Sequence, residues 1–134
     1  MRNIDTIGYH YIIEASGCDP KILADSDKLR EILVTGAKKG KMDIRIVHFY
    51  KFSPTGVSGM VVVSESHVSI HTWPEEKYAA IDVYICGENT EPEYTIEYIL
   101  EKIHAEYAHI TEIKRGIRDN DEYTHSILSW DEEK

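Results

Sequence analysis

Apolar residues recur along this chain with two different periods, and the switches between them mark its elements. Tyr9 to Ala15, rich in aromatic and β-branched residues, reads as a strand. Leu29, Ile32, Leu33 and Ala37 then recur at helical spacing, with Gly40 as the stop. Met42, Ile44 and Ile46 alternate with Asp43 and Arg45, which predicts a long strand from Met42 to Phe52. Ser53-Pro54-Thr55-Gly56 breaks it. Three β-prone stretches follow, Val57 to Ser64, His67 to Trp73 and Ala79 to Cys86, with Pro74 and Gly87 punctuating the last two. Thr90 and Glu93 have the spacing of a capping box. The helix they would open carries Ile96, Ile99, Leu100, Ile103 and Tyr107 on one stripe, with Glu97, Glu101 and Lys102 off it. His109 to Arg115 and Tyr123 to Trp130 read as closing strands.

Strands outnumber helices, and several are nearly consecutive. This predicts an α+β fold: a two-layer sandwich of a mainly antiparallel sheet with two helices on one face. Val57 to Val63 is apolar at both parities, so the other face should be covered too. A second copy of the chain would do so, giving a dimeric four-layer assembly.

Composition narrows the class of function. The chain has 134 residues, enough for a single domain, 42% of them hydrophobic and 29% charged. A net charge of −9 argues against nucleic acid, which demands a surplus of Lys and Arg on one face. The apolar run Met60 to Val63 is too short to span a membrane, and Met1 to Asp5 lacks the apolar core of a signal peptide. Cys18 and Cys86 lie far apart and form no metal-type cluster. A cytoplasmic protein with free thiols is expected, disordered only in the tail Asp131-Glu132-Glu133-Lys134.

Reactive side chains concentrate between Ser58 and Cys86. Ser66 follows Glu65 and has His67 and His71 nearby, but no Gly-x-Ser-x-Gly elbow surrounds it, so a hydrolase nucleophile is a weak reading. His67 and His71 share a face of the predicted strand, yet stand too far apart for easy chelation and lack a third ligand. Cys86 ends an apolar strand, where most cysteines are small buried hydrophobes, a description that fits Cys18 better still. Phe52 and Trp73 are core aromatics by default, although beside polar groups they could stack on a planar ligand. The segment signals a site but not its reaction.

Its ordered motifs say more. Lys51-Phe52-Ser53-Pro54, Gly56-Val57-Ser58-Gly59, Glu65-Ser66-His67, Ile70-His71-Thr72-Trp73-Pro74-Glu75, Tyr78 to Tyr84 and Cys86-Gly87 together closely resemble the small prokaryotic form of S-adenosylmethionine decarboxylase. Elsewhere the likeness rests on element order and length. The resemblance implies autocatalytic cleavage between Glu65 and Ser66, giving chains 1–65 and 66–134, with a pyruvoyl cofactor made from Ser66. His71 matches the processing base, and Ser58 the hydroxyl that assists it. The pyruvoyl ketone would form a Schiff base with the substrate amine and accept electrons as carbon dioxide leaves, the work otherwise given to pyridoxal phosphate. By the same resemblance Cys86 is the acid that protonates the product carbon, Phe52 and Trp73 stack on adenine, and Glu75 accepts from the ribose hydroxyls. The implied substrate is S-adenosylmethionine, and the product an aminopropyl donor for polyamine (spermidine) synthesis; a homodimer with two sites near its interface is expected, with no metal.

Ser66 and His71 are five residues apart, so a regular strand would point them to opposite faces. A turn or bulge at Glu65–Ser66 is expected, or else a site spanning a subunit boundary. The alternative substrate is arginine or ornithine with the same cofactor, but an arginine site would want a carboxylate aimed at the guanidinium. A non-catalytic regulatory homologue would be expected to lack Ser66, His71 or Cys86, and this chain keeps all three.

Overall fold

The computed structural model describes residues 6–86, 89–116 and 125–132. Its strands are β1 (Gly8–Ser16), β2 (Ile44–Lys51), β3 (Val57–Val63), β4 (Ser66–Trp73), β5 (Tyr78–Cys86), β6 (Tyr107–Arg115) and β7 (His125–Asp131). They form one antiparallel sheet in the order β2-β3-β4-β5-β1-β6-β7. Helices α1 (Pro20–Leu23), α2 (Ser26–Lys39) and α3 (Pro92–Lys102) complete the second layer. The predicted α+β sandwich is therefore present, with α1 as a short third helix that periodicity could not reveal in four residues.

Alternation along the strands builds the core. Ile13, Ala15, Val57, Val61, Val68, Ile70, Ile81 and Val83 are all buried. Against them pack Leu29, Ile32, Leu33 and Ala37 of α2 with Ile96, Ile99 and Leu100 of α3. Asp25 caps α2, its carboxylate accepting the Lys28 N–H at 3.0 Å. Gly40 ends it as expected, and the left-handed turn falls on Lys41 (φ 63°). Thr95 joins the helices by donating to the Gly36 carbonyl at 2.7 Å.

Four local expectations are corrected. The second strand begins at Ile44, and a bulge at Arg45 shifts its register, since Ile44 faces Val63 while Ile46 faces Val62. One extra residue exchanges the faces, so Val47 and Phe49 pack on the core and Ile46 is left 60% exposed. Arg45, the extra residue, reaches Asp43 at 2.8 Å and the Ser64 hydroxyl at 3.2 Å. Thr90 does not cap α3: Glu91 holds that position without a side-chain bond, Pro92 opens the helix, and Thr90 Oγ1 is buried without a partner among the described residues. Tyr107 leaves the helical stripe to begin β6, because His104 turns left-handed (φ 59°) just past the helix end. Asp131 belongs to β7 rather than to a disordered tail, and the Glu132 N–H bonds the Glu106 carbonyl. Expectations resting on Met1 to Asp5, Gly87, Tyr123, Thr124, Glu133 and Lys134 lie outside the described residues.

Ile70 sits at the centre of β4 with no exposed surface. Truncation to alanine should cost about 2–5 kcal/mol through lost burial and the cavity left behind, read as a lowered midpoint in urea denaturation.

Candidate active site

Strand β4 carries the site, and its alternation divides it. Val68, Ile70 and Thr72 point to the helices, together with Ser66 by parity; His67, Ser69, His71 and Trp73 point to the outer face. Ser66 follows a two-residue connection, Ser64–Glu65, that joins it to Val63, its partner in register. Glu65 is left-handed there (φ 59°), a conformation costing a non-glycine residue about 1–2 kcal/mol. The expected distortion at Glu65–Ser66 is thus a hairpin turn. Ser64 pins it through Asp43, whose carbonyl takes the Ser64 N–H at 3.0 Å and whose carboxylate takes the hydroxyl at 3.2 Å. Ser66 is itself nearly buried, and its Oγ accepts the Cys86 N–H at 2.9 Å.

The far end of β4 holds a second cluster. Ser58 of β3 stands opposite His71 in register, and Ser58 Oγ lies 2.8 Å from His71 Nδ1. Both line a cleft of about 330 Å3 together with Phe52, Trp73 and Glu75, over Thr55 to Val57 and Thr72. Phe52 and Trp73 are 47% and 43% exposed, so neither is a core residue; Phe52 meets Tyr50 edge to face, Trp73 packs beside Tyr78, and both border the cleft. Thr72 fixes the floor: its buried hydroxyl accepts the Val57 N–H at 2.9 Å and donates to the Leu23 carbonyl at 2.7 Å, tying the cleft to α1. Glu75 lies in the 3-10 turn Pro74–Glu76, opened by Pro74 immediately after β4.

One chain does not unite these two ends. Ser66 and His71 lie five strand positions apart, roughly 16 Å at about 3.3 Å per residue, and Ser66 and Cys86 do not line the cleft. The turn at Glu65 distorts the backbone without bringing Ser66 to the His71 face. His67 and His71 take different partners, His71 the Ser58 hydroxyl and His67 the rings of Tyr84 and His10. Among the described residues no group of three or more His, Cys, Asp or Glu is arranged to hold a metal. No described helix is long and apolar enough to cross a membrane.

Sequence reasoning passed over the outer face beside Cys86. Cys86 Sγ lies 3.3 Å from the Tyr84 hydroxyl, and the Arg115 guanidinium stacks over the Tyr84 ring at 4.7 Å. His10 Nε2 lies 2.9 Å from Asp82 Oδ1. The signal was available: Asp82, Tyr84 and Cys86 alternate on β5, opposite to buried Ile81, Val83 and Ile85. Cys18, by contrast, is fully buried, which pushes its thiol up to about 12, with Glu106 adding to the shift. A larger groove of about 540 Å3 on α3 is lined by Tyr94, Tyr98, Glu97, Glu101, Lys39 and Trp130, away from all these residues. Lys39 and Lys102 already cover its Tyr98 ring, at 5.3 and 5.6 Å.

His67 is held below its ordinary 6.5, first by burial and then by His10, with Asp82 opposing. As pH falls through 6.5 the unfolded chain takes up a proton that the folded chain still refuses, so stability falls through that window. His67→Gln should flatten this part of the curve of unfolding free energy against pH.

A family model described as S-adenosylmethionine decarboxylase matches residues 9–116. The S-adenosylmethionine decarboxylase proenzyme of Pyrococcus abyssi is 59% identical over 130 residues, 96% of this chain and 94% of its own length. That of Thermococcus onnurineus is also 59% identical over 130 residues, covering 96% of this chain and 92% of its own. Among solved structures, the adenosylmethionine decarboxylase of Aquifex aeolicus superposes with a TM-score of 0.80 at 29% identity, over 89% of this chain and 98% of that one. With this cleft, this order of strands and this extent of similarity, the chain belongs to the S-adenosylmethionine decarboxylase family.

Proposed function

We propose that this chain cleaves itself between Glu65 and Ser66 and, with the pyruvoyl group so formed, decarboxylates S-adenosylmethionine in the cytoplasm to supply an aminopropyl donor for polyamine synthesis. The observation that carries the reading is the cleft, where a hydrogen-bonded Ser58–His71 pair meets two exposed aromatic rings and a carboxylate. Stacking faces and a ribose acceptor suit an adenosyl substrate. The relatives named above are all named as adenosylmethionine or S-adenosylmethionine decarboxylases, which weighs against arginine or ornithine.

The surroundings of Ser66 suit self-cleavage. Ser66 Oγ would attack the Glu65 carbonyl carbon, the C–N bond giving way to an ester as the hydroxyl proton passes to nitrogen. The left-handed Glu65 already departs from strand geometry at that bond, and the Cys86 N–H orients the oxygen. His71, its Nδ1 engaged by Ser58, would remove the Ser66 α-proton; the ester then eliminates with Glu65 leaving as a carboxylate, and water replaces the nitrogen as ammonia. When present, the pyruvoyl group supplies an electron sink for loss of carbon dioxide. Cys86 then gives its thiol proton to the product carbon. Phe52, Trp73 and Glu75 hold the nucleoside.

The His71 that serves a given Ser66 would come from a second copy. A twofold axis crossing the middle of β4 reverses the strand and sets each Ser66 end against the other copy's His71 end. The outer face also offers Ile46, Tyr50 and Met60 at 60%, 57% and 42% exposure, an apolar patch suited to such a partner.

Mass spectrometry of the purified protein should find two chains, 1–65 and 66–134, with carbon dioxide released from S-adenosylmethionine. An intact chain under native conditions overturns the reading. Ser66→Ala should neither cleave nor react, whereas Cys86→Ala should cleave and turn over poorly, about 100-fold or more below the parent. Sedimentation equilibrium at micromolar concentration should report a dimer; a monomer refutes the shared site.

A further inference from the structure

Cys86 does not stand alone on the outer face. Its sulfur lies 3.3 Å from Tyr84 Oη, with the thiol as donor. The tyrosine ring is itself held in place. Arg115 lies over it at 4.7 Å, while the rings of His10 and His67 flank it at 5.8 and 5.9 Å. Arg115 Nη1 donates to His10 Nδ1 at 3.5 Å, so His10 Nε2 keeps its hydrogen and donates to Asp82 at 2.9 Å. On the other side, β1 presents Gly8 opposite Cys86 in register. A Cβ there would lie 2.5 Å from the Ile85 carbonyl oxygen, as well as 3.0 Å from Cys86 Sγ and 3.3 Å from the Tyr84 ring, so glycine keeps this corner open.

We propose that Tyr84 is a positioning residue for proton delivery, its hydroxyl holding the Cys86 thiol and donating to the sulfur once that thiol has given its proton to the substrate-derived carbon. This rests on the reading of Cys86 as the acid. A hydroxyl can accept from a thiol and donate to a thiolate by rotating about one bond, which a phenylalanine at the same place cannot. Hydrogen bonds to an ionised partner are the stronger kind, so the contact favours the product of the transfer over its start. The Tyr84 hydroxyl is shifted up, first by its bond to Cys86 and then by burial, against the pull of Arg115; it therefore stays protonated and able to donate.

Correct delivery also matters to the enzyme's survival. A proton that reached the pyruvoyl-derived carbon instead would leave the substrate nitrogen on the chain, whose first residue would then be alanine. Water would then release the rest of the substrate as an aldehyde, and the electron sink would be lost.

Tyr84→Phe keeps the ring under Arg115 and removes only the hydroxyl. One measurement needs no turnover: alkylation of Cys86 by iodoacetamide at neutral pH in the uncleaved Ser66→Ala chain, with and without Tyr84→Phe. Buried Cys18 stays silent, so Cys86 is read directly. Removing the hydroxyl should slow alkylation several-fold, because the thiolate loses its donor; an equal or faster rate overturns the proposal. In the otherwise unaltered enzyme, Tyr84→Phe should cleave at the parent rate and keep its KM. Its kcat should fall about tenfold to a hundredfold, and a larger share of the 66–134 chains should begin with alanine by mass. Unchanged kcat and alanine content overturn the proposal even if alkylation slows. A parent enzyme that cleaves but releases no carbon dioxide overturns the underlying reading, a result distinct from any behaviour of Tyr84→Phe.

Discussion

Strand β4 imposes the constraint on which the rest depends: successive side chains must leave opposite faces of the sheet, about 3.3 Å apart along it. The strand has Val68 and Ile70 to bury against the helices, and this sets the direction of every other residue it carries. His71 must face outward because Ile70 faces in. Ser66 shares the parity of the core residues and escapes full burial among them only because it stands at the rim, where the hairpin turns. The two reactive ends of β4 are thus kept apart by the same alternation that makes the core.

Both ends are tied into the fold by hydrogen bonds that leave few polar groups to chance. Thr72, one position beyond His71, spends its hydroxyl on a β3 amide and an α1 carbonyl, so the cleft floor and the first helix move as a unit. At the other end the Cys86 N–H takes a side-chain oxygen, coupling the end of β5 to the first residue of β4. A buried donor without an acceptor costs about 1–3 kcal/mol, so the Ser66 hydroxyl also supports the end of β5. The hydrogen-bonded array of His10, Asp82 and Arg115 lies on the same face as the Cys86 thiol, where Arg115 and His10 hold the tyrosine ring.

Much of this was legible in the chain. The period-two stretches located the strands because their inward residues, Val61, Ile70 and Ile81 among them, meet helices whose own stripe is equally regular. Chemistry near Ser66 became legible through ordered motifs, since residue type alone left it a doubtful nucleophile. What escaped notice was set by tertiary contacts. The bulge at Arg45 answers to Asp43 and to Ser64 of the β3–β4 turn, and no periodicity within β2 encodes it. Pro92 displaced the capping box because a proline suits the first helical turn, where its missing N–H costs nothing. Tyr84 looked like one more aromatic strand residue until its neighbours on β1 and β6 were in place.

The strand order has a further consequence for a chain cut at the Ser64–Glu65 turn. The first fragment would keep β1, β2 and β3, and the second β4 to β7. Yet β1 is inserted between β5 and β6, while β3 borders β4. The fragments therefore interleave along three separate seams of backbone hydrogen bonds. Neither can leave without unravelling the middle of the sheet. A cut in such a topology would be a nick rather than a separation, and the new chain ends would stay where the old bond left them.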